Sequence, residues 1–315
     1  MRVAVTCAHL IRDLAHWQPA MEAVGFEVVA ADIPGQHLEG DALVSAMEGC
    51  VGVVAGDDKF TADVQDRLPD LKVISKWGIG VDGIDREHAA ERGIAVTNTP
   101  GAFDDEVADI AMAYTVMLLR QLVTIHETTR DGGWVRPAGH SLGDLRLGVI
   151  GLGGIGRAVV RRAAVAAADV VGCDPSPESQ ELAMEAGARI VEIDELMATS
   201  NVISVNAPLT PSTLHLVNAE RLSMVPDLAY LVNTGRGDVV DTAALADALI
   251  SGRLAGAAVD VLEEEPPSPE NPIRRAPNVI FGSHNASNTY EASARVHRRS
   301  IANMADQLGV TIELP

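Results

Sequence analysis

Cysteine is scarce in this sequence of 315 residues: Cys7, Cys50 and Cys173 are widely spaced and odd in number. That argues against a disulfide framework and against any CxxC metal site, so no metal is expected and a reduced, cytoplasmic setting is the simplest reading. Positive charge is also in short supply, with 24 basic residues against 44 acidic ones and a net charge of −20. The resulting field repels phosphate, which disfavours nucleic acid and anionic membranes as partners. Any anion that binds must therefore be held by a local positive site. No run of about 18 apolar residues occurs, so no membrane span is expected. The opening Met1–Trp17 starts as a strand and turns polar within a dozen residues, without the apolar centre of a signal peptide. Tandem repeats and low-complexity tracts are absent, and the one Pro-rich patch, Glu263–Pro272, is short enough to be a single loop.

What is present is a globular mixture, 47% hydrophobic and 22% charged, long enough for about two domains. Apolar, β-rich runs predict strands at Val3–Thr6, Val28–Ala30, Val51–Ala55, Lys72–Ser75, Leu147–Gly151, Asp169–Cys173, Val202–Val205, Ala229–Asn233, Ala257–Val261 and Val279–Phe281. Helical patterns such as Asp109–Arg120 and Thr242–Ser251 separate most of them. Near-continuous apolar strands joined by helices predict an α/β protein with parallel sheets covered on both faces. A fresh βαβ unit begins at Leu147, so one domain is inserted into the other or follows it. Helix Asp109–Arg120 is apolar all round, which fits either a subunit interface or a core helix.

Leu147–Gly156 reads LGVIGLGGIG, a strand followed by Gly151-x-Gly153-x-x-Gly156 and an Ala-rich helix. The bare pattern is common, but here it sits directly after a strand and opens a helix, as a dinucleotide site requires. Gly151 permits the tight turn, Gly153 lets the backbone approach a pyrophosphate, and Gly156 lets helix and sheet lie close. The helix N-terminus then offers unpaired N–H groups to the phosphates, which is how an acidic chain can hold an anionic cofactor. The next strand ends at Asp174, 18 residues past Gly156. Taken alone, Asp174 also reads as a turn or cap residue before Pro175. With the glycines in register it reads as the acceptor of the adenosine ribose hydroxyls, favouring NAD over NADP.

Three later segments, LVNTGRGD (Leu231–Asp238), AVDVLEEEPP (Ala258–Pro267) and IFGSHNASN (Ile280–Asn288), each follow or close an apolar strand. Strand carboxyl ends are where open α/β sheets bind ligands, so an Arg, a Glu and a His are expected to converge there. A guanidinium fork suits the carboxylate and carbonyl of a 2-keto acid. The carbonyl oxygen gains charge as hydride arrives and needs a donor of imidazole type. A neighbouring carboxylate orients such an imidazole and favours its protonated form. Singly, Arg236 also reads as a surface loop residue, Glu265 as one of three solvated acids and His284 as a satisfied half-buried histidine.

At these residues the chain resembles the D-isomer-specific 2-hydroxyacid dehydrogenases, a family that includes D-lactate, glycerate/hydroxypyruvate, phosphoglycerate and phosphite dehydrogenases. The resemblance covers essentially the whole chain and implies the catalytic trio Arg236, Glu265 and His284, with Glu263 and Glu264 left as solvated charges. It implies a substrate loop at Trp77–Asp82, in which the N–H groups of Ile79 and Gly80 meet the substrate carboxylate and Lys76 and Trp77 adjoin it. The implied NAD contacts are Gly151, Gly153, Gly154, Ile155, Gly156 and Asp174, then Asn206, Ala207 and Pro208, then Thr234, Gly235, Asp260 and His284. For the Gly78–Gly80 loop a plain tight turn is the competing reading. The implied fold is a Rossmann nucleotide domain (99–285) inserted into a flavodoxin-like substrate domain (1–98 with 286–315), the active site lying in the cleft between them. It further implies a homodimer built on the apolar helix near Asp109–Arg120.

Several positions depart from common family usage. Gly154 stands where Arg is frequent, the lead-in GDLRLGVIG is short, and the histidine motif reads SHN, leaving Asn285 to reach a polar substrate or to fix a turn. Trp77 replaces smaller side chains. Lys76 matches an Arg of phosphoglycerate enzymes, but Ala55 replaces another and Asp57 and Asp58 stand beside it, so phosphoglycerate is not favoured. The function expected is NAD-dependent hydride transfer at C2 of a D-2-hydroxy or 2-keto acid. The alternatives are a phosphite- or phosphonate-type dehydrogenase and a non-catalytic NAD-sensing, corepressor-like protein. Which acid, and whether its far end is anionic, stays open at this point.

Overall fold

The computed structural model of the protein describes residues 1–35 and 37–315. The chain divides into two units, Met1–Ala102 with Thr289–Pro315, and Phe103–Asn288.

The first unit carries five strands, β1 (Arg2–Val5), β2 (Glu27–Ala30), β3 (Gly52–Ala55), β4 (Val73–Lys76) and β5 (Ala95–Thr97). They pair in parallel in the order β2-β1-β3-β4-β5, the flavodoxin-like arrangement expected. β3 and β4 are buried at every residue, which is why they read as unbroken apolar runs. Helix Tyr290–Gln307 returns to this sheet: Ser75 Oγ donates to Ser300 O at 2.8 Å, and a Cβ on Gly52 would touch Met304 and Leu308. β5 was not anticipated. It is a three-residue edge strand, half-buried throughout, so it lacks the apolar signature of its neighbours.

The second unit holds seven parallel strands: β6 (Arg146–Ile150), β7 (Asp169–Cys173), β8 (Arg189–Ile190), β9 (Val202–Val205), β10 (Ala229–Asn233), β11 (Leu254–Val259) and β12 (Val279–Phe281). Their order, β12-β11-β10-β9-β6-β7-β8, is the doubly wound Rossmann order extended by one strand. The direction of winding reverses between β9 and β6, which sets the ligand crevice at their carboxyl ends. β8, two residues at the edge, again left no sequence signal. Helix Asp104–Leu119 begins five residues before the apolar stretch, opening on Asp104, Asp105 and Glu106, acids that suit a helix N-terminus. It buries Val107, Ala108, Ala111, Thr115, Leu118 and Leu119 and leaves Val116 exposed. It is thus a core helix on one face. Among the described residues, no single helix is long and apolar enough to cross a membrane.

Candidate active site

The crevice of the seven-stranded sheet is built by backbone crowding. Gly151 ends the β6 turn at φ +86°, and a Cβ there would lie 2.7 Å from the backbone of Ala207, which follows β9. Gly235, after β10, packs on the same Ala207, and Thr234 Oγ1 donates to Asn206 Oδ1 at 3.1 Å. Three adjacent strand ends are thereby drawn into one wall. Helix Gly154–Ala163 starts from it, and Gly156 is needed because a Cβ would fall 1.9 Å from Gly151 O.

Gly153 behaves differently. Among the described residues outside its immediate chain neighbours, no atom lies within 4 Å of where its Cβ would be. The protein's own packing does not require glycine here, whereas a phosphate resting on the helix N-terminus does. The residues present therefore fit a dinucleotide. Asp174 fits too: Oδ2 accepts from Leu152 N and Oδ1 from Ser176 N, each at 2.8 Å. A carboxylate has about four acceptor positions, so two remain for ribose hydroxyls. The absence of arginine at position 154 has a local cause. A Cβ there would lie 1.9 Å from Asp104 Oδ2, so Asp104 occupies the space. Burial raises the Asp104 pKa, while Arg157 and Arg161 act in the opposite sense.

The catalytic candidates stand at the ends of β10, β11 and β12. Asn233, fully buried, shapes the arginine loop, its Nδ2 donating to Arg236 O at 3.0 Å and its Oδ1 accepting from Gly235 N at 3.1 Å. Gly237 then lies against Leu262: a Cβ would fall 2.0 Å from its carbonyl carbon. Leu262 N donates to Glu265 Oε1 at 2.9 Å, and Glu265 Oε2 lies 2.8 Å from His284 Nδ1. This run of contacts links the Arg236 loop to the histidine. With Nδ1–H donated to Glu265, Nε2 is left as the working atom of the ring. His284 itself is held at φ +55°, its N–H donating to Asp260 O at 2.7 Å.

Asp260 was expected only as a cofactor contact. Its carboxylate also accepts from Ala286 N at 2.9 Å and from the Tyr114 hydroxyl at 3.3 Å, so it fixes both sides of the His284 loop. Burial and Asp260 push the Tyr114 hydroxyl up to about 12. Tyr114 and Asn233 carry no signal in the sequence, since a half-buried Tyr in an apolar helix and an Asn closing a strand both read as ordinary packing residues. Glu263 and Glu264 are both exposed, as expected, but each has partners: Glu263 lies 2.6 Å from His215 Nε2 and accepts from Thr242 N at 2.7 Å. Glu264 accepts from Ser268 Oγ and Asn271 Nδ2. Of the two readings of Asn285 the structure gives the turn, in which it accepts from Asn288.

In the first unit, Gly78 takes φ +119° and its carbonyl accepts from Thr99 N at 2.9 Å, while Ile79 O accepts from Asn98 Nδ2 at 2.7 Å. A trans peptide opposes its C=O and N–H. With both carbonyls turned toward Asn98 and Thr99, the N–H groups of Ile79 and Gly80 point the other way, a paired donor of the kind that takes an anion. The Trp77 indole is 8% exposed and packed inward, and the Lys76 ammonium lies 3.0 Å from Asp57.

Comparison with known proteins agrees with this architecture. Residues 112–286 match the family model described as D-isomer specific 2-hydroxyacid dehydrogenase, NAD binding domain. The chain is 38% identical over 253 residues to a glyoxylate reductase of Thermofilum pendens, covering 78% of this chain and 75% of the relative. It is 36% identical over 286 residues to a hydroxypyruvate reductase of Thermotoga maritima, covering 89% and 92%. A D-lactate dehydrogenase from Aquifex aeolicus, solved with NAD and lactic acid, superposes with a TM-score of 0.85 at 25% identity, over 100% of this chain and 99% of that one. These likenesses support the hydroxyacid reading and not the phosphite-type or corepressor alternatives. The chain belongs to the D-isomer-specific 2-hydroxyacid dehydrogenases, and is an NAD-dependent oxidoreductase of that family.

Proposed function

We propose that the protein reduces a small 2-keto acid of the glyoxylate or hydroxypyruvate class, with His284 as the acid–base residue. The observation that carries this is the 2.8 Å contact between His284 Nδ1 and Glu265 Oε2, with Glu265 itself fixed by Leu262 N. When bound, NAD supplies or accepts the hydride. The chain's residues do the rest. Nε2 of His284 delivers a proton to the carbonyl oxygen, and Glu265 stabilises the imidazolium form that makes this possible. The guanidinium fork of Arg236 suits the carboxylate and carbonyl of such an acid, and the paired N–H groups of Ile79 and Gly80 suit a carboxylate. Two relatives, 38% and 36% identical over the residues they align with, are by name a glyoxylate reductase and a hydroxypyruvate reductase, which supports this substrate class.

The test is His284→Ala followed by NADH oxidation with glyoxylate. Turnover is expected to fall by about 10²–10⁴-fold while NADH still binds. Turnover near the wild-type value removes His284 from the role.

The protein is also proposed to act as a homodimer. Val116, Leu122, Trp134 and Val135 are exposed, Trp134 at 76%, and they lie in one stretch of chain running from helix Asp104–Leu119 through helix Leu122–Arg130 into the segment beyond. Apolar side chains exposed in succession along one stretch support a contact with a second copy there.

A further inference from the structure

The five-stranded sheet carries chemistry at its carboxyl edge that the roles above leave unused. Its switch point lies between β1 and β3, where open α/β sheets take ligands. His9 follows β1, Asp57 follows β3, and Lys76 is the last residue of β4. The His9 ring stacks on Trp77 with centroids 4.6 Å apart and planes within 4°. Trp77 is fixed in turn, its Nε1–H donating to His297 Nδ1 at 2.8 Å, while His297 Nε2 lies 3.1 Å from Asp13 Oδ2. Burial, Arg12 and His297 lower the His9 pKa, with Asp57 acting in the opposite sense, which favours the uncharged ring.

The charges beside it are arranged with a direction. Lys76 is 7% exposed, and its ammonium lies 3.0 Å from Asp57 Oδ1 while donating to Trp77 O at 2.8 Å. The Asp57 side chain keeps 63% of its surface exposed, against 9% for Lys76. The cation is inside and the anion faces solvent. Asp58 does not share this position: it is 2% exposed and accepts from Thr6, Leu38 and Gly56 within the unit. An arriving anion therefore meets the Asp57 carboxylate first, and the ammonium behind it is already compensated.

We propose that the Asp57–Lys76 pair makes this protein select 2-keto acids whose group beyond C2 is uncharged, hydrogen or hydroxymethyl, and exclude those ending in phosphate or a second carboxylate. The inference rests on the keto-acid reading above and adds its selectivity. Lys76, whose charge suits an anionic far end, is withheld from it by Asp57.

Hydroxypyruvate and its 3-phosphate differ only in the phosphoryl group and so isolate the effect. The wild type is expected to favour hydroxypyruvate in kcat/KM by about 100-fold or more. Asp57→Asn is expected to narrow that ratio at least about tenfold, chiefly through a lower KM for the phosphate, while Asp57→Glu retains it. The wild-type ratio also falls between about 0.02 and 0.5 M salt, a measurement that needs no variant to fold. A wild-type ratio near one, or a ratio moved by neither Asp57→Asn nor salt, overturns the proposal. A wild type inactive on both glyoxylate and hydroxypyruvate overturns the underlying reading, and the proposal with it.

Discussion

A histidine at φ +55° occupies a backbone region that costs a non-glycine residue about 1–2 kcal/mol. Such a residue persists only where its surroundings over-determine it, and at His284 they do, through Asp260 O on its N–H and Glu265 on its ring. Asp174 is used doubly in the same manner. It holds the Gly151–Leu152 turn through Leu152 N while keeping acceptor positions for a ribose. Asp174→Ala should thus erode the preference for NAD over NADP by about tenfold or more, because the carboxylate that repels a 2′-phosphate is gone. The ratio of kcat/KM for the two cofactors measures it, and an unchanged ratio removes Asp174 from cofactor selection. At this scale the sequence was legible where a residue's type is costly elsewhere: glycines in fixed register, Asp174 at a strand end, a lone His after another. It was silent on Asn233 and Tyr114, whose partners are main-chain atoms or lie 146 residues away, and on the direction of the Asp57–Lys76 pair. Type and spacing reveal what a residue can do, but not which of two paired charges is buried.

Between elements, the site depends on how closely two loops can approach. The 2.0 Å clearance between a Cβ on Gly237 and the Leu262 carbonyl carbon leaves room for no other residue unless the backbone moves. Leu262 N also orients Glu265, so a shift there propagates to the histidine. Gly237→Ala should cost about 1–3 kcal/mol as overpacking against backbone, lowering the unfolding midpoint by several degrees. It should also lower kcat more than it weakens NADH binding, since the wall formed by Gly151, Ala207 and Gly235 is untouched. Thermal unfolding and steady-state kinetics on one preparation check both; a fall in stability with unchanged kcat separates Gly237 from catalysis. The same scale explains which strands the sequence disclosed. β3, β4, β9 and β10 are buried throughout and read as apolar runs, whereas β5 and β8 lie at sheet edges, half-covered and two or three residues long. β11 begins at Leu254, three residues before its expected start, because the segment AAV alone looks like a strand core while Leu254–Gly256 resembles the turn before it.

For the molecule as a whole, a charge of −20 and an anionic cofactor are reconciled by local geometry, the helix N-terminus above Gly153. The same acidity opposes association of two copies, so a dimer needs an apolar contact strong enough to outweigh like charge. Trp134, 76% exposed beside Val135, is the side chain best suited to that role, because tryptophan buries a large area at small entropic cost and dominates many interfaces. Helix Leu122–Arg130, none of whose residues is buried, supports the same reading. Trp134→Asp should therefore raise the dimer dissociation constant by roughly 30-fold or more, corresponding to about 2 kcal/mol for a central aromatic. Sedimentation velocity over a concentration series measures it, with intrinsic fluorescence of the wild type reporting whether a tryptophan leaves water on association. Raised salt should strengthen the wild-type dimer by screening the net repulsion, and should do so less for the variant, which has lost the apolar contact that screening helps to close. A wild type that sediments as a monomer at every concentration removes the dimer, and leaves Trp134 to be explained by a different partner.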